Sequence, residues 1–135
     1  MQKNMENGRT ALIIEDEKPL LEAIRAKMEK SGFAVITGRS VKQALMYLDE
    51  GIRIDVIWLD HYLIGMESGL DLVAKLKEKG SKYRNIPIYV VSNTATPDKV
   101  KSYLRLGISK YFTKADNRLE DIIKDINNFL AEEKE

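Results

Sequence analysis

The chain has 135 residues, 44% of them hydrophobic, enough to close one sizeable core in a single domain. Its 22 basic and 21 acidic residues leave a net charge of +1, so no overall field directs it to nucleic acid or to an anionic membrane. The lack of cysteine excludes disulfides, thiol nucleophiles and cysteine metal sites, and a single histidine excludes a histidine-rich one.

Residues 1–8, "MQKNMENG", read as a disordered extension without the apolar stretch of a signal peptide, and no apolar run reaches the length of a membrane span. A cytoplasmic protein is the expectation. Residues 9–131 then alternate strand and helix five times, and residues 132–135 read as a frayed end. Short apolar segments at 11–14, 33–36, 56–59, 88–91 and 108–112 have the nearly continuous character of strands covered on both faces.

The first intervening segment starts at Pro19, stops at Gly32 and sets Leu20, Leu21, Ile24 and Met28 on one side of a helix. Ser40 with Gln43 has capping-box spacing for a second helix reaching to Gly51. Ser68 precedes a third, "GLDLVAKLKEK", ending at Gly80; Thr96-Pro97 opens a fourth that Gly107 closes. Asn117 with Glu120 opens a fifth, with Ile122, Ile123, Ile126, Phe129 and Leu130 in one stripe. Five βα units predict an α/β domain: a doubly wound parallel sheet with helices on both faces.

In such sheets ligands bind beyond the carboxyl ends of the strands. That rule gathers Glu15-Asp16-Glu17 after strand one, Asp60 after strand three, Ser92-Asn93 after strand four and Thr113-Lys114 after strand five on one rim. Glu15, Asp16 and Asp60 held roughly 5 Å apart would repel by about 3 kcal/mol per pair at an effective dielectric of 20. A cation relieves this, and an all-oxygen donor set with few carboxylates suits Mg2+ better than Ca2+. Lys114 and Ser92 add an ammonium and a hydroxyl, which completes a site for a tetrahedral anion with a carboxylate oxygen left to attack phosphorus.

These segments resemble the receiver domain of two-component response regulators over nearly all of residues 9–131. "ALIIEDE" resembles the family's first strand and acidic pair, and "VIWLD" its strand ending on the phosphoacceptor. "PIYVVSNT" resembles the strand with the hydroxyl residue, and "GISKYFTKAD" the strand with aromatic and lysine. The resemblance implies a flavodoxin-like (βα)5 fold with strand order 2-1-3-4-5. It implies Asp60 as phosphoacceptor, Asp16 as a direct Mg2+ ligand, Glu15 as a ligand through water and the backbone carbonyl of Tyr62 as a further ligand. Ser92 and Lys114 would hold the phosphoryl group, and Tyr111 would be the aromatic switch.

The implied partners are a sensor histidine kinase or phosphotransfer protein and a downstream protein met through the fourth helix, fifth strand and fifth helix, near Tyr103, Lys110 and Tyr111. A phosphorylation-dependent dimer is compatible with the resemblance; turnover of an external substrate and direct contact with nucleic acid are not expected.

Two departures stand out. Ala115 follows Lys114 where the family usually has a cis-proline, so a trans bond is expected here. Gly69 lies nine residues after Asp60 where the family commonly has eight, and Ile64 replaces the usual proline. His61 reads as an exposed bystander. The competing readings are a Mg2+-dependent phosphatase with an aspartyl-phosphate intermediate, a flavodoxin-like cofactor binder, and a receiver used only for docking. Against the cofactor binder, no glycine- and hydroxyl-rich phosphate loop follows strand one.

Overall fold

A computed structural model describes residues 8–133. The loose ends expected at 1–8 and 132–135 therefore lie mostly outside the described residues. Five strands, β1 (Thr10–Ile14), β2 (Ala34–Gly38), β3 (Val56–Leu59), β4 (Ile88–Ser92) and β5 (Lys110–Thr113), alternate with α1 (Lys18–Lys30), α2 (Val41–Asp49), α3 (Gly69–Leu76), α4 (Pro97–Leu106) and α5 (Leu119–Glu133). All strand pairs are parallel, in the order β2-β1-β3-β4-β5.

Because side chains alternate across a strand, the sheet sorts its residues onto two cores. Leu12, Ile14, Ile57, Leu59, Ile88 and Val90 pack on one face with residues of α2, α3 and α4. On the other face Ala11, Ile13, Val56, Trp58, Tyr89 and Val91 meet α1 and α5. Burial on both faces holds for β1, β3 and β4, whereas the edge strands β2 and β5 are mostly half-buried, a correction to the expectation of five fully covered strands.

The helix ends follow some of these signals and depart from others. Ser40 accepts from Gln43 N, but the Gln43 amide oxygen accepts from Arg39 N, so the box closes one residue early. Ser68 and Asp71 form a complete capping box on α3. That helix ends at Leu76, about a turn before the expected Gly80, and Lys77 caps it. Thr96 and Gly107, the latter at φ 101°, bracket α4 as expected. Asn117 does not open α5; its amide donates to the Thr113 carbonyl at 3.0 Å, and the helix starts at Leu119. No described peptide bond is cis, Lys114–Ala115 included, as the missing proline predicts.

Candidate functional site

Backbone pairing continues one residue beyond the strand ends and delivers the rim side chains. Glu15 N donates to Gly38 O at 3.0 Å, Asp60 N to Ile14 O at 2.9 Å, and Lys114 N to Ser92 O at 2.8 Å. The sheet's register therefore fixes Glu15, Asp60 and Lys114 side by side. Ser92, the last residue of β4, pairs with Thr113. Glu15, Asp60 and Ser92 are the buried polar residues of the described chain, with exposures of 1%, 4% and 0%.

Lys114 is the charge that this cluster shares. Its Nζ lies 3.1 Å from Glu15 Oε1 and 3.4 Å from Asp60 Oδ2. Both contacts are ion pairs to buried carboxylates, and the Ser92 hydroxyl is fully buried on the same rim. Glu15 Oε2 accepts from Glu17 N at 3.0 Å, and Asp60 Oδ1 from His61 N at 2.8 Å. Burial pushes the Glu15 carboxyl up from its ordinary 4.5 to about 7; the Asp60 charge adds to this, while the Glu17 N–H and Lys114 oppose it.

Asp16 stands slightly apart. Its carboxylate is half-exposed and 3.5 Å from the Arg39 guanidinium, which also donates to the Asp16 carbonyl from Nε and Nη2 at 3.0 and 2.9 Å. As a result, no three acidic or histidine side chains converge tightly enough to hold a metal among the described residues. The expectation that Glu15, Asp16 and Asp60 already form one tight cluster is corrected accordingly: Glu15 and Asp60 share Lys114, and Asp16 leans on Arg39. The donor chemistry still fits a hard cation, since it offers carboxylate oxygens only and two of the carboxylates, Glu15 and Asp60, are buried.

The loop after Asp60 is tied on both sides. Ile64 N donates to Arg39 O at 3.0 Å and Gly69 N to His61 O at 2.9 Å. A Cβ on Gly69 would come within 2.5 Å of the Asp60 carbonyl oxygen and 2.8 Å of the Tyr103 hydroxyl, so only glycine fits at this ninth residue. Tyr62, whose carbonyl was the expected fourth ligand, has a more than half-exposed ring beneath Lys99 Nζ, 4.7 Å from the centroid. Lys99 also bonds the Tyr62 and Thr94 hydroxyls at 3.0 and 2.6 Å, and the first of these bonds holds the Tyr62 phenol below its usual range.

Two residues differ from their sequence reading. His61 is no bystander: its Nδ1 is 2.6 Å from the Tyr103 hydroxyl, and its ring meets Tyr62 and Tyr103 edge-on. Burial, then Lys99, lowers the His61 pKa. Tyr103 is fully buried rather than on an output surface, 5.6 Å from the Tyr111 ring. Tyr111 is half-buried and its hydroxyl donates to the Thr94 carbonyl, while Lys110 pairs with Asp125 at 2.7 Å. Only the helical spacing of Tyr103, which places it with Val100 on the inner side of α4, could have announced its burial.

The chain matches the response regulator receiver domain family over residues 11–127. It is 31% identical over 107 residues to the phosphate regulon transcriptional regulatory protein PhoB of Pseudomonas aeruginosa, covering 79% of this chain and 45% of that protein. The chain thus spans about half the length of the curated relatives it matches. Among solved structures, the phosphorylated cyanobacterial phytochrome response regulator RcpA superposes with a TM-score of 0.80 at 26% identity, covering 91% of this chain and 94% of that one. The Mn2+-bound form of response regulator Rcp1 superposes at 0.76 and 23% identity over 90% and 93% of the two chains, a likeness of fold. No helix among the described residues is long and apolar enough to cross a membrane.

Proposed function

This chain belongs to the response regulator receiver domain family, and from that premise we propose that Asp60 accepts a phosphoryl group from a phosphohistidine on a sensor histidine kinase or phosphotransfer protein in the cytoplasm. The observation that carries this reading is the burial of Glu15, Asp60 and Ser92 on one rim, with both carboxylates paired to one ammonium, Lys114. A carboxylate oxygen of Asp60 attacks phosphorus, the P–N bond breaks, and the imidazole leaves with a proton in place of the phosphoryl group. Lys114 neutralises charge on the transferred oxygens, and the buried Ser92 hydroxyl donates to one of them. Glu15, Asp16, Asp60 and the Tyr62 carbonyl would hold Mg2+, which supplies charge neutralisation for the phosphoryl group. Asp16 can join them because its contact with Arg39 is long and half-exposed.

Phosphorylation adds nearly two negative charges at this rim. Tyr111 and the α4–β5–α5 side then respond as the switch, and a downstream protein or a second copy of the chain reads the change. The test is incubation with Mg2+ and acetyl phosphate followed by intact mass measurement. One phosphate-sized gain is expected, absent in Asp60→Asn and in Mg2+-free buffer. A chain that never gains this mass, with Mg2+ bound, would instead be a docking module. Steady hydrolysis of phosphate monoesters would favour the phosphatase reading.

A further inference from the structure

The loop that carries Asp60 is braced from inside α4. Tyr103 is fully buried on that helix, and its hydroxyl lies 2.6 Å from Nδ1 of His61, the residue that follows Asp60. Resting on the reading of Asp60 as phosphoacceptor, we propose that Tyr103 is a positioning residue for phosphorylation: it holds the His61 ring, and through the His61 backbone it fixes how the Asp60 carboxylate is turned.

The turn of the carboxylate matters because its two oxygens have different neighbours. Asp60 Oδ1 accepts from the His61 N–H at 2.8 Å, while Oδ2 faces Lys114 at 3.4 Å. The His61 N–H therefore sets which oxygen meets the ammonium. The peptides on either side are tied to other elements: Asp60 N donates to Ile14 O at 2.9 Å, and Gly69 N donates to the His61 carbonyl at 2.9 Å. The peptide between them, which carries the His61 N–H, is held by crowding at its carbonyl and by the His61 side chain. Both restraints meet at Gly69, where a Cβ would come within 2.5 Å of the Asp60 carbonyl oxygen and 2.8 Å of the Tyr103 hydroxyl. The bare Cα is what lets the hydroxyl reach His61, so Gly69 and Tyr103 are a matched pair.

Tyr103 is well placed to act as a fixed point. Its ring meets His61 edge-on with centroids 5.7 Å apart and packs against the Tyr111 ring at 5.6 Å, and close-packed cores hold such rings in one rotamer. Burial pushes its phenol well above the usual range, so the hydroxyl keeps its proton. Because Tyr111 is the aromatic switch of the proposed function, the same buried ring joins that switch to the phosphoacceptor loop.

The test is the rate at which the chain gains phosphate mass from acetyl phosphate with saturating Mg2+ at about pH 8, where a free imidazole is neutral. Tyr103→Phe keeps the ring and loses the bond, and its rate is expected to fall roughly three- to tenfold. Loss of one hydrogen bond leaves a domain of ordinary stability almost wholly folded, so a merely structural Tyr103 would leave the rate unchanged. His61→Leu is expected to fall as far, and the double variant no further than either single one. His61→Asn, which keeps an acceptor near the place of Nδ1, regains most of the rate. His61 is the only histidine in the sequence, so its imidazole 15N resonances report the bond directly and are expected to shift in Tyr103→Phe. A wild type that never gains the mass overturns the phosphoacceptor reading and this proposal with it. Equal rates in wild type and Tyr103→Phe, or single losses that multiply in the double variant, would overturn this proposal alone.

Discussion

Asp55 and Asp60 stand one residue outside β3 at its two ends, and the fold uses them in opposite ways. Asp55 Oδ2 accepts from Thr10 N at 2.8 Å, its Oδ1 pairs with Arg53 Nε at 3.2 Å, and its own N–H donates to Thr10 O at 2.8 Å. Its Oδ2 and its N–H both join β3 to β1. Asp60 is more deeply buried, yet its carboxylate has a bond from the adjacent His61 N–H and a 3.4 Å ion pair with Lys114, across from Glu15. Where a carboxylate's partners are all supplied by the chain, it serves as a fastener. Where a buried carboxylate shares one ammonium with a second buried carboxylate, the local negative charge is not fully offset, and the pair favours a further cation.

The crowding behind Asp60 gives the largest expected effect. Gly69→Ala must displace either the Asp60 carbonyl or the Tyr103 phenol, and a loss of about 3 kcal/mol in urea unfolding is expected, at the upper end for overpacking. Gly51, near the Asp55 end of β3, has open space where its Cβ would go, so any cost of Gly51→Ala comes from its φ of +83° alone. Equal losses from the two substitutions, with phosphorylation by acetyl phosphate untouched in Gly69→Ala, would blur the contrast between the ends.

The next effect is a pH dependence. The Glu15 carboxyl rises from 4.5 to about 7 in the folded chain, so the native state binds this proton more tightly than the unfolded state. Its contribution to stability is present below pH 4.5 and is lost as pH climbs to 7, by an amount on the order of 3 kcal/mol. The difference between wild type and Glu15→Gln, followed by urea unfolding without Mg2+, isolates that window. Mg2+ affinity should rise across the same interval, since the cation binds the ionised carboxylate. A difference that is flat from pH 4.5 to 7 would contradict the burial argument.

Asp55→Asn weakens the bonds that fasten β3 to β1, and a loss of about 1–2 kcal/mol is expected. Asp60→Asn removes a charge facing Glu15 and should leave stability unchanged or raise it by up to about 1 kcal/mol. Tyr103→Phe deletes the bond to His61 Nδ1 at a cost of about 1 kcal/mol and leaves the ring packing in place. Urea midpoints rank all three; Asp60→Asn falling below Asp55→Asn would reverse the roles assigned to the two carboxylates.

The topology and most of the rim were legible in the sequence because strand ends are marked by abrupt changes in chemistry. "VIWLD" passes from four buried residues to a carboxylate, and β3 spans the expected four residues. Ser40, Thr96, Ser68 and Gly107 announced helix ends because their capping bonds are local. What stayed hidden depends on contacts across the chain. His61 and Tyr103 are 42 positions apart, and nothing near either residue states that one will bond the other. Arg39, which donates to the Asp16 carbonyl and lies 3.5 Å from its carboxylate, comes from the loop after β2 and carries no motif. The single spacing that looked anomalous, Gly69, is explained only once the Asp60 carbonyl and the Tyr103 hydroxyl are seen pressing on it.

Asp60, the buried carboxylate at the end of β3, is the proposed nucleophile. The direct measurement is to treat the chain with acetyl phosphate and Mg2+, reduce with borohydride, and locate the resulting homoserine by peptide mass spectrometry. The account predicts homoserine at residue 60 and at no other acid, with none in Lys114→Ala under the same brief exposure. Homoserine at residue 15 or 16, or an unmodified residue 60 in the folded, Mg2+-bound protein, would contradict it.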